Sequence, residues 1–211
     1  MNREGLFRPG VGRAVLVCGA PALLAAAVIF YATAAAVGVT PDAVVYLDAA
    51  AHLARGEGYT GFKIGAPEPG PVVHYPPLYP FVLSLGVRLG LAPPEAARFL
   101  GAALFAANTL LIGLVVFRAT GSTKSSFLGA FLAATSIALI EIHSAAWSEP
   151  LFLFLALTGL FLTGAALEKN DWRALVPGAL ALGGAWLTRY VGAVLVAAAV
   201  LGRLLISRKP L

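Results

Sequence analysis

Long apolar runs constrain this chain more than any other feature of its sequence. The first extends from Ala14 to Gly38 without a charged residue. Others cover Ala96 to Phe117, Phe127 to Ile142, Pro150 to Leu167 and Leu175 to Ile206. A helix rises about 1.5 Å per residue, so about 20 residues cross a hydrocarbon core about 30 Å thick. The last run is too long for one crossing and divides into two short ones if it turns near Thr188 to Tyr190. Composition agrees. The chain is 59% hydrophobic and 12% charged, against about 25% charged in soluble domains. The first run also exceeds the roughly 7–15 apolar residues of a cleaved signal. The sequence therefore predicts an all-α polytopic membrane protein, a single module over residues 1–211 with about six transmembrane helices.

Charge placement sets the orientation. Fifteen Lys and Arg outnumber ten Asp and Glu, for a net charge of +5. The basic residues gather at the ends of the apolar runs: Arg3, Arg8 and Arg13, then Arg118 and Lys124, then Lys169 and Arg173, then Arg203, Arg208 and Lys209. The short segment from His143 to Glu149 has none. Short cytoplasmic loops carry the excess of Lys and Arg. Both termini are thus expected in the cytoplasm, with the protein in the plasma (inner) membrane. The same placement argues against nucleic acid as a partner. The one cysteine, Cys18, excludes an intramolecular disulfide.

Residues 39–95 then form a long outer loop, and long loops of this kind are usually functional. Thr40 suits an N-cap, Pro41 a first helical position and Gly56 a helix stop. At 100° per residue, Asp42, Tyr46, Ala49 and Leu53 share one face of that helix. Asp48, His52 and Arg55 share another, as expected for an amphipathic helix along the membrane surface. Six prolines between Gly65 and Pro80 exclude a regular helix or a central strand there. Phe81 to Leu91 is apolar but too short to span, and reads as an interfacial or re-entrant helix.

Phosphate-binding glycine loops, zinc spacings and nucleophile elbows are missing from the sequence. What the topology does collect on the outer face is Asp42, Asp48, His52, Arg55, Lys63, His74, Tyr75, His143 and Glu149, together with Arg189 and Tyr190. Each has a plain structural explanation. Asp42 and Glu149 open helices, where the dipole stabilises a carboxylate by about 0.3–1 kcal/mol. Ser148 can cap the helix that Glu149 and Pro150 begin. Asp48, His52 and Arg55 can form a solvated face, and Arg189 can snorkel. Their convergence points further. Ionisable groups gathered where lipid meets water suit a lipid-phosphate substrate. One carboxylate could take a proton from an acceptor hydroxyl, and Arg or Lys could hold phosphate. If a divalent cation such as Mg or Mn is used, Asp42 and Glu149 are its expected ligands.

The segments "PDAVVYLDAAAHLARGEGY", "HYPPLYPFVLSLGVRLGL", "AARFLGAALFAANTLLIGLVVFRATGS", "WSEPLFLFL" and "LTRYVGAVLV" follow one another in order. Together, from Ala14 to about Arg203, they resemble the N-terminal half of a GT-C fold membrane glycosyltransferase. The similarity is to the branch of protein mannosyltransferases, lipopolysaccharide-core galacturonosyltransferases and the aminoarabinose–lipid A transferase. The resemblance implies a polyprenyl-phosphate-linked sugar donor and a lipid, glycan or protein acceptor, with transfer on the outer face of the membrane. It implies Asp42 as catalytic base and Glu149 as the acid of the second outer loop. Where the family often has Lys before the double proline, this chain has His74 and Tyr75. Ala43, Val44 and Val45 replace the charged residues that often follow the first acid. Phosphate contacts are then expected from Arg55 and Arg189, with Tyr190 alongside.

Such enzymes are usually about twice as long, so a missing C-terminal half or a partner subunit is a further expectation. Outside catalysis, the alternatives are a membrane transporter, a lipid-binding scaffold or an inactive fragment. A transporter would place ionisable groups near the midplane and show repeats; neither is evident here.

Overall fold

The computed structural model describes residues 10–62, 68–169 and 172–207. Lys63, part of the expected outer-face set, lies outside them, as do Arg3, Arg8, Arg208 and Lys209. The fold is all-α and of the polytopic membrane type. Its helices are α1 (Val11–Ala32), α2 (Pro41–Arg55), α3 (Leu78–Arg88), α4 (Pro93–Thr120), α5 (Thr123–Ala134), α6 (Ile137–Ser144), α7 (Glu149–Lys169), α8 (Trp172–Thr188) and α9 (Gly192–Ser207). Between α2 and α3 a small antiparallel hairpin pairs β1 (Thr60–Gly61) with β2 (Gly70–Pro71).

By length and apolarity α1, α4 and α7 can each cross a membrane, and α5 with α6 makes a fourth candidate bent by 55°. Helices α8 and α9 have 17 and 16 residues, short of the roughly 20 that a straight crossing takes. Large apolar side chains stand exposed along these helices, with Leu16 at 79%, Leu23 at 74% and Ile137 at 82%. In water such a surface would aggregate; against lipid tails it needs no cover.

Three expected boundaries move, each for an identifiable reason. The first span ends at Ala32 rather than Gly38. Thr33 Oγ1 donates to Ile29 O at 2.6 Å, and Arg98 closes the helix end, donating to Phe30 O at 3.0 Å and to Thr33 Oγ1 at 3.1 Å. The chain beyond turns at Thr33 to Ala35 and leaves the helix axis before the bridge at Gly38. Helix α4 starts at Pro93 rather than Ala96, because Pro93 tolerates the first turn and Glu95 reaches back to accept from Ala92 N at 2.9 Å. The third expected span is two helices, broken at Thr135 and Ser136. There Thr135 Oγ1 donates back to Phe131 O at 2.9 Å, a back-bond that competes with the backbone ladder and bends helices.

Small residues let the helices touch. At Gly113 an added Cβ would stand 2.5 Å from Cys18 Sγ, where α1, α4 and α5 meet. Ser126 Oγ donates to Gly113 O at 2.8 Å and lies 3.1 Å from Cys18 Sγ. At Gly159 and Gly178 the same addition would meet Leu182 and Thr163, so α7 and α8 pack backbone to backbone. Gly101 on α4 faces His143 O, which a Cβ would approach to 2.5 Å.

The segment between α1 and α4 packs on this bundle. Helix α2 opens as the sequence predicts, with Thr40 Oγ1 accepting from Ala43 N at 3.4 Å and Gly56 closing it at φ 80°. Its buried face, Tyr46, Leu47 and Ala50, packs on Tyr79 and Leu83 of α3, Ala97 of α4 and Leu151 of α7. Arg88 of the short interfacial helix donates to Leu53 O at 3.0 Å, satisfying a terminal carbonyl of α2. Replacing Gly101 with Val is expected to force α4 from the α6–α7 turn, at about 1–3 kcal/mol of overpacking. A fall in the melting temperature of the detergent-purified protein, larger than that from Gly19→Val at an open position, is the measurement that checks it.

Candidate active site

Three junctions meet at one end of the bundle: α1 to α2, α6 to α7, and α8 to α9. The first two are stitched by backbone. Gly38 N donates to Ser144 O at 2.8 Å and Ala146 N donates to Gly38 O at 2.9 Å, a short parallel bridge. Asp42 follows this bridge on one chain segment and Glu149 follows it on the other. Because α4 passes the α6–α7 turn at Gly101 and ends at Thr120, the turn lies about 28 Å from the far end of α4 at 1.5 Å per residue. That is about one hydrocarbon thickness, so the junctions stand at the membrane boundary.

Two adjoining cavities open here, each about 260 Å³. Thr40, Pro41, Asp42, Tyr46, Trp147, Glu149 and Arg189 line one. Asp42, Tyr46 and Arg189 also line the second, with His74, Tyr75 and Tyr190. Asp42 and Arg189 are thus common to both. Of the residues expected from sequence, Asp42, Glu149, His74, Tyr75, Arg189 and Tyr190 come together. Arg55 does not. It sits at the C-terminal end of α2 and pairs with Glu57, Nη2 to Oε2 at 2.8 Å. Asp48 accepts from Phe62 N at 2.5 Å and lies 3.7 Å from His52, whose other nitrogen meets Glu57 at 2.6 Å. That cluster secures the hairpin to α2. Glu141 is exposed on α6, and His143 is buried in the bundle.

A hydrogen-bond chain crosses the site. Arg189 Nη1 meets Glu149 Oε1 at 2.5 Å and donates to Ser148 Oγ at 3.2 Å. Ser148 Oγ lies 3.3 Å from the Tyr46 hydroxyl. Tyr46 packs edge-on against Tyr75 and Tyr79, at 5.0 and 5.3 Å between ring centres. The Tyr75 hydroxyl donates to Asp42 Oδ1 at 2.7 Å. Trp147 Nε1 donates to Thr40 Oγ1 at 2.8 Å, tying the second outer turn to the cap of α2. The loop carrying Tyr75 is fixed in turn: the Tyr59 hydroxyl donates to Tyr75 O at 3.0 Å, and that of Tyr190 to Val73 O at 3.4 Å.

Burial pushes the Tyr46 phenol up, against the lowering pull of Ser148 and Arg189. The hydrogen bond to Asp42 pushes Tyr75 up to about 12. Both phenols are therefore neutral at physiological pH, and Tyr75 donates to Asp42. Among the described residues no three His, Cys, Asp or Glu side chains gather as an ion site. Asp42 and Glu149 share a cavity, and the Arg189 guanidinium sits on Glu149. Mg²⁺ is usually held by one or two carboxylates together with waters and substrate phosphate, a donor set these two acids can supply, and the arginine provides positive charge beside them.

Ser148, Tyr46, Trp147 and Thr40 are site residues that sequence reasoning did not single out. The signals were adjacency for Trp147 and Ser148, next to Glu149, and helical spacing for Tyr46, one turn after Asp42.

A membrane-embedded helical bundle with carboxylates, an arginine and aromatic rings around paired cavities at its rim fits a membrane glycosyltransferase. The family model of dolichyl-phosphate-mannose-protein mannosyltransferases matches residues 74–211, well over half of the chain, and the chain belongs to that family. This is a family of GT-C-type membrane glycosyltransferases acting between a lipid-linked sugar donor and an acceptor. The matched region takes in His74, Tyr75, Glu149, Arg189 and Tyr190, and starts after Asp42. No significant match was found among curated proteins or among solved structures.

The Tyr75–Asp42 bond supplies a pH test. A phenol whose folded value is raised contributes stability in full below its ordinary value of about 10, and loses it as pH climbs through about 12. Tyr75→Phe is therefore expected to lower the melting temperature by the same amount at every pH from 6 to 9, with the difference from wild type shrinking only above pH 10.

Proposed function

We propose that the chain transfers a sugar from a polyprenyl-phosphate donor to a hydroxyl acceptor on the outer face of the membrane, with inversion at the anomeric carbon. The observation that carries this is the position of Asp42 and Arg189, each lining both cavities. A base and a phosphate-binding cation thus stand between two spaces, one for donor and one for acceptor. Asp42 takes the proton of the acceptor hydroxyl, and the hydroxyl oxygen forms the new bond to the anomeric carbon. The bond from that carbon to the phosphate oxygen breaks. Its electron pair leaves with polyprenyl phosphate, whose charge Arg189 stabilises. Tyr75 holds Asp42 Oδ1, which leaves Oδ2 for the substrate proton. Glu149 and Ser148 orient the guanidinium. The rings of Trp147, Tyr75 and Tyr190, with His74, give the sugar flat apolar walls.

Orientation rests on charge. Arg13, Arg118, Lys124, Arg173 and Arg203 lie at the helix ends opposite the site, which supports cytoplasmic placement of those ends and an outward-facing site. A long polyprenyl tail then lies in the outer leaflet beside the boundary-level site.

The test follows release of polyprenyl phosphate from polyprenyl-phosphate mannose in membranes that contain the protein. Asp42→Asn is expected to lower turnover by about 10²–10⁴-fold, the usual contribution of a general base. Undiminished turnover would remove Asp42 from the reaction. Arg189→Lys retains the charge but loses the planar guanidinium, whose Nη1 meets both Glu149 and Ser148 and whose remaining N–H groups suit bidentate contact with phosphate. It is expected to lower turnover by about 10–100-fold, because its contact strengthens as charge develops on the phosphate.

A further inference from the structure

We infer that Asn108 and His143, buried inside the bundle, form a clamp that positions Glu149, and through it Arg189, for the transfer. The inference rests on the reading that this pair serves the reaction. Both side chains are 1% exposed. Asn108 Nδ2 donates to Pro150 O at 3.1 Å and stands 3.0 Å from His143 Nε2. A carbonyl only accepts, so the amide must present its nitrogen there. His143 Nε2 must then accept, and the ring proton sits on Nδ1, which donates to Leu139 O at 2.6 Å. The imidazole is fixed as one neutral tautomer by partners on both sides. Phe105 lies across its face, with ring centres 4.5 Å apart.

The clamp grips both ends of one turn. His143 is at the close of α6, and Pro150 is beside Glu149 at the opening of α7. Between them run Ala145 and Ala146, bridged to Gly38, and then Trp147 and Ser148 at the cavity. Asn108 Oδ1 is buried without a hydrogen-bond partner, so the amide stands there at a cost that leucine would not carry. Packing alone does not require it, since Gly101 already seats the turn against α4. What the amide adds is a fixed height for Pro150, and so a fixed origin for the Glu149 side chain that orients the guanidinium. A displacement of about 1 Å at such a group can lower a rate by about 100-fold.

Two measurements on the purified full chain test this. The first is steady-state transfer from polyprenyl-phosphate mannose. Asn108→Leu and His143→Phe are expected to lower kcat by about 10–100-fold with donor KM within about twofold. His143→Gln keeps an acceptor for the amide and is expected to retain most of kcat. In the Glu149→Gln background, Asn108→Leu is expected to add no further loss, because both changes act through one group. The second measurement needs no activity. The position-38 Cβ would lie 3.2 Å from Ala145 Cβ, close to disulfide spacing, so Gly38→Cys with Ala145→Cys reports the place of the turn by its oxidation rate. Asn108→Leu is expected to slow that rate several-fold. A wild-type kcat in Asn108→Leu, a loss that multiplies with that of Glu149→Gln, or an unchanged crosslinking rate would each overturn the clamp. If crosslinking slows while even the wild-type protein transfers no sugar, the clamp stands and the proposed reaction falls.

Discussion

Two backbone hydrogen bonds at Gly38 hold the site in register. In a chain made of membrane helices nearly every backbone group bonds within its own helix, and helices alone would leave the first and second outer segments free to slide. The bridge from Gly38 to Ser144 and Ala146 removes that freedom. Asp42 lies four residues past the bridge on one side, in the first turn of α2, and Glu149 three residues past it on the other. The geometry between the two acids is thus set by backbone rather than by long, mobile side chains. Everything upstream serves the bridge. Arg98 stops α1 at Ala32 so that the chain is extended by Gly38. The break at Thr135 and Ser136 tilts α6 so that its end reaches α4. Gly101 then leaves room for the turn to seat.

Much of this was legible in the sequence. Apolar length marked the bundle, and the Thr40–Pro41 start and Gly56 stop marked α2 within a residue. Those signals are local and chemical: a hydroxyl, a ring that fixes φ, a residue that accepts φ 80°. The convergence of Asp42, Glu149, His74, Tyr75, Arg189 and Tyr190 was also readable, since topology alone sends those loops to one side. The partners were harder to read. Arg55 looked free to bind phosphate, but Glu57, two residues on, satisfies it, and no periodicity argument ranks one exposed pairing over another. The end of α1 was misjudged because Ala34 to Val37 is as apolar as the helix before it. What ends the helix is Arg98, distant in sequence and brought close by packing.

Electrostatics explains why the polar groups stand at the rim rather than deeper. Arg189 and Glu149 are each a little over one-third exposed, at 38% and 36%. At that depth an ion pair contributes little to stability, yet its charges are already half-stripped of water. In the proposed reaction the donor phosphate meets a guanidinium already held by Glu149 and Ser148. Deeper placement would demand a larger desolvation penalty from both partners. Full exposure would let salt and water screen the charge that has to be stabilised as the sugar leaves. The boundary is also where a lipid-linked substrate holds its phosphate, with its tail remaining in hydrocarbon.

The aromatic residues complete this logic by keeping the two acids apart in function. Tyr46 packs edge-to-face on both Tyr75 and Tyr79, and the hydroxyls of Tyr46 and Tyr75 meet different partners. Tyr75 donates to Asp42, while Tyr46 joins Ser148 and through it Arg189. The arginine is paired with Glu149, while Asp42, in the same cavity, is held by the Tyr75 hydroxyl. Two carboxylates, each in the first turn of a helix, thus have different neighbours, and the proposed reaction uses that difference by giving Glu149 the arginine and Asp42 the proton.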